Sequence, residues 1–219
     1  PCVVITDPLV SSDQKAKAMI ITSQHGSEES GRAIALGLID FLLSDDAYAQ
    51  KLIKTQEIAI VPCCNPDGSQ LNTYKNAKNV DIAHVHEFDK DPESPDALAV
   101  WKFANSFQPE LFIDIHGLAG GSMSDKVWVD AQHNFSVNSF FMTVMNHEAV
   151  KASEVLGYPT CEPKVAGVLT NISNSKRIGE KLSYLMNTMS FGVEAIEKYY
   201  SIKEWVPAGL ARVKILLSY

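Results

Sequence analysis

Two histidine-glycine pairs carry the clearest chemistry in this chain. His25-Gly26 is followed by Ser27 and Glu28, and His116-Gly117 ends an apolar run from Leu111 to Ile115. A histidine and a glutamate three residues apart, straddling a strand-to-helix turn, can aim an imidazole nitrogen and a carboxylate oxygen at one point. A second imidazole from another strand end completes a donor set suited to catalytic zinc, which takes three protein ligands and keeps one position for water. H-x-x-E alone is weak, because many helices carry it by chance; the second His-Gly pair is what lifts it. In each pair the glycine lets the backbone turn sharply beside the histidine. A further candidate is Glu194, near the end of an alternating run from Met189 to Ala195. A carboxylate in such a strand needs a partner or a task. It sits at a sheet edge, or pairs with Lys198, or stands beside a metal-bound water as a general base.

These residues need a sheet to hold them. Cys2 to Ile5 and Lys15 to Ile21 read as strands, the second apolar enough to be central. Ala33, Ile34, Leu36, Leu38, Ile39 and Leu42 recur at helical spacing, which predicts a helix over 28–43, with another over 47–54. Glu57 to Val61 is a buried strand stopped by Pro62. Strand, helix, strand in that order implies a parallel crossover and an α/β sheet. Ligands of such sheets lie outside the carboxyl ends of the strands, and both His25 and His116 occupy such ends. Cys63 to Gly68 reads as a turn cluster, and the irregular stretch 69–91 is of a length that is functional or disordered in a compact domain. A helix ending near Phe107 follows. Beyond the His116 strand come a strand at 126–129, a helix over 136–156, a loop over 157–174 and a helix over 177–187. The Glu194 strand and a closing helix over 208–217 complete the chain.

With 219 residues and 46% hydrophobic content, the chain is read as a single domain over 1–219. A net charge of −7 excludes a nucleic-acid platform, which needs a basic face. No apolar run reaches the ~18 residues that span a bilayer. No signal peptide is visible, and Pro1 in place of Met suggests processing or excision. Compartment and oligomeric state stay open. Cys2, Cys63, Cys64 and Cys161 make no disulfide framework; the vicinal pair Cys63-Cys64 reads as buried free thiols, and Cys63 or Cys64 with a histidine would instead make an unrelated α/β hydrolase. His84 and His86 form an H-x-H, read as a polar loop face with a second metal site as the alternative. His133 and His147 are expected at the surface, and Trp101, Trp128 and Trp205 in the core.

In order along the chain, H-x-x-E after a strand, N-P-D-G after the next, Val80-Asp81 closing a long loop, an apolar strand plus His116, and S-F-x-x-E ending in Glu194 resemble the zinc carboxypeptidase family (carboxypeptidase A-type metallopeptidases). The resemblance runs from Lys15 to Glu194. It implies an α/β fold: a three-layer α/β/α sandwich on a mixed, largely parallel central sheet of about eight strands. It implies Zn²⁺ held by His25, Glu28 and His116, with Asp81 orienting the first histidine and Glu194 as the catalytic general base. The substrate implied is a peptide or an acyl-amino acid. The chain also departs from the family. Where carboxypeptidases carry an Asn-Arg clamp for the substrate's terminal carboxylate, Ala83 and His84 stand here. Arginine offers a permanent two-pronged charge, a neutral histidine at most one donor. The oxyanion-stabilising arginine has no clear match among Arg32, Arg177 and Arg212, which leaves His84 and Arg177 as the substrate-binding candidates. The reading is a zinc-dependent amide or peptide hydrolase with altered substrate recognition. Its rivals are a zinc deacylase of the aspartoacylase and succinylglutamate desuccinylase type, and a non-catalytic binding domain on the same fold.

Overall fold

The computed structural model describes residues 1–118, 129–132, 139–157, 176–196 and 201–218. Six strands among these residues form one sheet: β1 (Val3–Ile5), β2 (Ala16–Thr22), β3 (Gln56–Val61), β4 (Leu111–Leu118), β5 (Val129–Gln132) and β6 (Met189–Ile196), in the order β1-β3-β2-β4-β6-β5. β3, β2, β4 and β6 run parallel, while β1 and β5 lie antiparallel at the two ends. The mixed, mostly parallel sheet is the one expected; among the described residues its strands number six rather than about eight.

Parallel strands are covered on both faces, so their side chains are apolar in both directions. Ile20, Ile60, Ile113 and Val193 face one way, against Ile34 and Leu38 of α1 (Glu29–Leu42) and Leu52 of α2 (Ala47–Thr55). Met19, Ile21, Ala59 and Phe112 face the other. α3 (Pro66–Leu71) follows β3, and α4 (Pro95–Phe107) packs Val100 and Trp101 on this second face. α5 (Ser139–Glu154) adds Met142 and Met145 to the first face, α6 (Ile178–Met186) adds Leu182 to the second, and α7 (Ile202–Leu216) returns Val213 to the first. Each fully buried aliphatic side chain contributes about 1.5–3 kcal/mol.

Three local expectations change. The turn cluster at 63–68 runs into a helix, because Pro66 stands at its first position and Asn65 caps it, Oδ1 accepting from the Gly68 N–H at 2.9 Å. The last helix starts at Ile202 instead of 208. Ser201 and Glu204 form a reciprocal capping box that secures its first turn. The predicted strand at 126–129 is found as β5 from Val129, and residues 126–128 lie outside the described residues. So do Trp128, His133, Cys161, Lys198 and the loop over 158–174. Trp101 is buried and His147 exposed, as expected.

Candidate metal centre

Register alone brings the candidate residues to one rim. β2 pairs Thr22 with Ile115 of β4, and β4 pairs His116 with Glu194 of β6. His116 is therefore the next residue up from that level, and His25 lies in the turn leaving β2 beside it. The turn is fixed from several sides. Ser23 takes a left-handed backbone at φ 52° and its hydroxyl donates to the Glu28 carbonyl at 3.0 Å. Arg32 Nη1 donates to the Gly26 carbonyl at 2.8 Å. Asn65 Nδ2 donates to the Gln24 carbonyl at 3.1 Å. Gly26 lies against the backbone of Gly68: a Cβ added there would sit 2.0 Å from the Gly68 carbonyl carbon. The glycine after His25 thus permits a close approach between two loops, and N-P-D-G is the clamp that holds the His25 turn.

The three predicted ligands meet. His25 Nδ1 lies 2.6 Å from Glu28 Oε1, and His116 Nδ1 lies 3.1 Å from Glu28 Oε2. One donor atom from each falls within 4.8 Å of the others, and all three residues are buried. Glu28 occupies the N-cap position of α1 but makes no side-chain cap bond. Its carboxylate is turned to the histidines instead of the backbone amides that a capping residue would serve.

Each imidazole is backed on its far side by a carboxylate. His25 Nε2 stands 3.3 Å from Asp81 Oδ1, and His116 Nε2 stands 3.1 Å from Asp114 Oδ2. Gln24 Nε2 donates to the same Asp114 oxygen at 2.6 Å. Such carboxylates fix ring orientation and raise ligand basicity. Two supported imidazoles and one carboxylate make a donor set that fits zinc. Asp81 was expected in this role; Asp114 was not. Its signal in the sequence is a lone acid in an apolar strand, two residues before His116 and so on the same face.

Electrostatics follow from this arrangement. Burial opposes charge on His116, yet Asp114 and Glu28 outweigh it and hold the ring well above its ordinary pKa. His25 is raised likewise, burial being overcome by Asp81 and Glu28. Against their own burial, Glu28 is held down by His116 and His25, and Asp114 by His116 and Gln24. Glu194 goes the other way. Burial pushes it up to about 7, with His116 partly offsetting and Glu28 reinforcing the rise. Its Oε2 is buried without a hydrogen bond among the described residues. β6 lies between β4 and β5, so the sheet-edge reading of Glu194 falls.

The remaining candidates are distributed unevenly. His84 ends a short 3-10 turn whose N-cap is Asp81, and its ring centroid lies 6.4 Å from that of His25. His86 does not belong to a polar loop face: it is buried, and burial lowers it to about 4. Arg177 sits at the start of α6, where its charge is felt by His84, Tyr74, Asp114 and Glu194. Arg32 is engaged in the His25 turn. Cys64 is buried and burial pushes its thiol well up, so it is no thiolate nucleophile. Tyr74 went unassigned in the sequence. Its ring stacks on His25 at 3.7 Å between centroids and 14° between planes, and its carbonyl accepts from the Gly26 N–H at 3.2 Å. Burial, with Asp81 and Glu28 nearby, pushes its phenol up to about 12. No local pattern marks such a stack, which is made by the path of the long loop.

Comparison with known proteins bears on the family and the fold. Mouse cytosolic carboxypeptidase 3 is 39% identical over 72 residues, 32% of this chain and 7% of that protein. Cytosolic carboxypeptidase 6 of Caenorhabditis elegans is 28% identical over 122 residues, 52% of this chain and 27% of that protein. The chain thus spans well under half the length of these relatives. A Burkholderia cenocepacia metallo-carboxypeptidase superposes with a TM-score of 0.79 at 20% identity, covering 99% of this chain and 60% of that one. A Pseudomonas aeruginosa metallo-carboxypeptidase in complex with (2-guanidinoethylmercapto)succinic acid gives 0.74 at 18% identity, covering 99% and 60%. At these identities the structures speak for the fold alone. The sequence model of the zinc carboxypeptidase family, however, matches residues 2–158, a stretch holding the His25 turn, N-P-D-G, Asp81 and His116, and by that match the chain belongs to the zinc carboxypeptidase family.

Proposed function

We propose that the chain is a zinc-dependent hydrolase of peptide or related amide bonds, with residues 1–219 acting as one catalytic domain. The family's three-layer sandwich of about eight strands goes with this reading. The observation that carries it is the place of Glu194, directly across the β4–β6 ladder from His116 and so beside the buried donor set. His25, Glu28 and His116 would hold the ion, with Asp81 and Asp114 steadying the imidazoles. Zinc bound there supplies a Lewis acid for the scissile carbonyl and acidifies water at the site. Glu194 takes a proton from the attacking water on a carboxylate oxygen and returns it to the leaving nitrogen. Burial raises this carboxyl to about 7 in the metal-free chain and a cation beside it draws that value down, so with zinc bound the group is ionised near neutrality and ready to accept a proton.

Substrate recognition is altered in this reading. Ala83 and His84 stand where the carboxylate clamp is expected, and Arg177 brings a permanent charge toward His84 and Glu194 from the start of α6. His84 and Arg177 together would read the substrate's anionic end, a carboxylate of a peptide or an acyl-amino acid.

Zinc content of the purified, chelator-free chain is the first test, followed by turnover on peptide and acyl-amino-acid panels. About one zinc per chain is expected, lost in His25→Ala and His116→Ala, while Glu194→Gln keeps the metal and loses turnover. Retained turnover in Glu194→Gln would remove the base assignment. A wild-type chain that takes up no zinc would leave a binding domain as the better reading.

A further inference from the structure

The H-x-H pair divides in the structure, and His84 acquires a different set of neighbours. Asp81 and His84 bracket a single 3-10 turn, so their side chains can converge. One donor atom each from His25, Asp81 and His84 lies within 4.8 Å of the others. The third member is the telling one. His25 is buried, and its Nε2 makes no well-aligned hydrogen bond among the described residues, although Asp81 Oδ1 is 3.3 Å away. His25 therefore turns its two nitrogens to two carboxylates, Nδ1 to Glu28 and Nε2 to Asp81, and it belongs to both groups of potential ligands, one with Glu28 and His116 and one with Asp81 and His84.

We propose that Asp81, His84 and Nε2 of His25 form a second zinc site adjoining the first, with His25 shared between them. The proposal rests on the reading of the first centre. Two imidazole nitrogens and one carboxylate oxygen are again a zinc donor set with a position to spare. The two uses of Nε2 exclude each other. With one ion bound at Nδ1, Nε2 keeps its proton and points it at Asp81. When the second ion binds, that proton leaves to solvent and Asp81 becomes a ligand. Release of a proton and the nearby charge of Arg177 both disfavour the second ion, so it fills at higher zinc concentration. An ion on His84 also occupies the place assigned to the substrate's anionic end, so excess zinc is inhibitory.

Equilibrium dialysis of the metal-stripped chain against rising free zinc tests this, with zinc per chain measured at each step. Wild type should fill one site and then a second at zinc levels at least about tenfold higher, the equivalent of ~1.4 kcal/mol. His84→Asn and His84→Ala should both stop at one. Turnover should fall in wild type as the second zinc loads, and should hold at its own one-zinc value in the two variants. A wild type that saturates at one zinc overturns the second site and leaves the first standing. A second equivalent that persists in both variants overturns it as well, by placing that ion elsewhere. Failure to bind any zinc overturns both centres together.

Discussion

Glu194→Gln should do more than stop hydrolysis: it should change how the metal-free chain responds to pH. Burial raises Glu194 from an ordinary 4.5 to about 7. The unfolded chain releases that proton near pH 4.5, whereas the folded chain keeps it until about pH 7. Between those values the folded state holds more protons, so stability falls as pH rises and levels off above the folded pKa. At about 1.4 kcal/mol for each tenfold displacement of the equilibrium, the full effect is about 3 kcal/mol. Glutamine keeps the shape and carries no titrating proton, so the variant lacks this slope.

The assay is urea unfolding of chelator-treated wild type and Glu194→Gln at steps from pH 4.5 to 8. The informative quantity is the difference between the two proteins as a function of pH. It reports Glu194 together with the groups coupled to it, because the acids and histidines elsewhere titrate alike in both. The variant should gain about 2–3 kcal/mol on wild type between pH 4.5 and 8. Saturating zinc should shrink that gain, since a cation beside Glu194 favours its charged form. A difference that stays flat with pH would show that Glu194 ionises normally in the folded chain. Its suitability as a proton carrier would then lose its physical basis.

Three substitutions probe the supports of the site. Asp114→Asn should weaken zinc binding about 10–100-fold in chelator competition and, by taking away a partner of the buried, charged His116, should also destabilise the metal-free chain in urea; unchanged affinity would make Asp114 a bystander. Gly26→Ala forces a Cβ to within 2.0 Å of the Gly68 backbone. It should therefore cost about 1–3 kcal/mol in thermal or urea unfolding and loosen zinc as the turn is pushed aside. Tyr74→Ala removes the ring stacked on His25 and should weaken zinc binding by about 0.5–1.5 kcal/mol, whereas Tyr74→Phe should match wild type. Equal losses in both variants would point to the hydroxyl instead of the stack.

What could be read in advance follows from how far each interaction reaches along the chain. His25 and His116 were legible because each closes an apolar strand, and parallel strands deliver their carboxyl ends to one rim. Glu28 was legible because it lies one turn from His25. Asp114 was visible as an anomaly but not as a partner, since its task requires knowing that His116 shares its face and that Gln24 reaches across from β2. Tyr74 had no signal at all: its stack depends on a loop that leaves α3 and folds back over the His25 turn. His86 was misplaced for a related reason. Alternation with His84 suggests one polar face, but the 3-10 turn at 82–84 breaks that alternation and sends His86 inward. N-P-D-G reads locally as a turn, and only the capping bond from Asn65 makes it the start of a helix.

The directions of the pKa shifts form one pattern with one cause. Glu28, Asp81, Asp114 and Glu194 gather around two histidines, with the permanent charge of Arg177 felt by Asp114 and Glu194 and that of Arg32 held in the His25 turn. Such a cluster carries more negative charge than its own cations offset. The chain answers by holding protons where it can, on His116, His25 and Glu194, all three raised above their ordinary values. Glu28, between the raised histidines, and Asp114, behind His116, stay ionised despite burial. A divalent cation among the same groups satisfies that negative charge without the protons, and it needs the histidines neutral to bind them. The features that stabilise a bound cation are thus the ones that lift the histidines in its absence. The raised rings and the carboxylates behind them are two expressions of a single charge arrangement, built by the register of β2, β4 and β6.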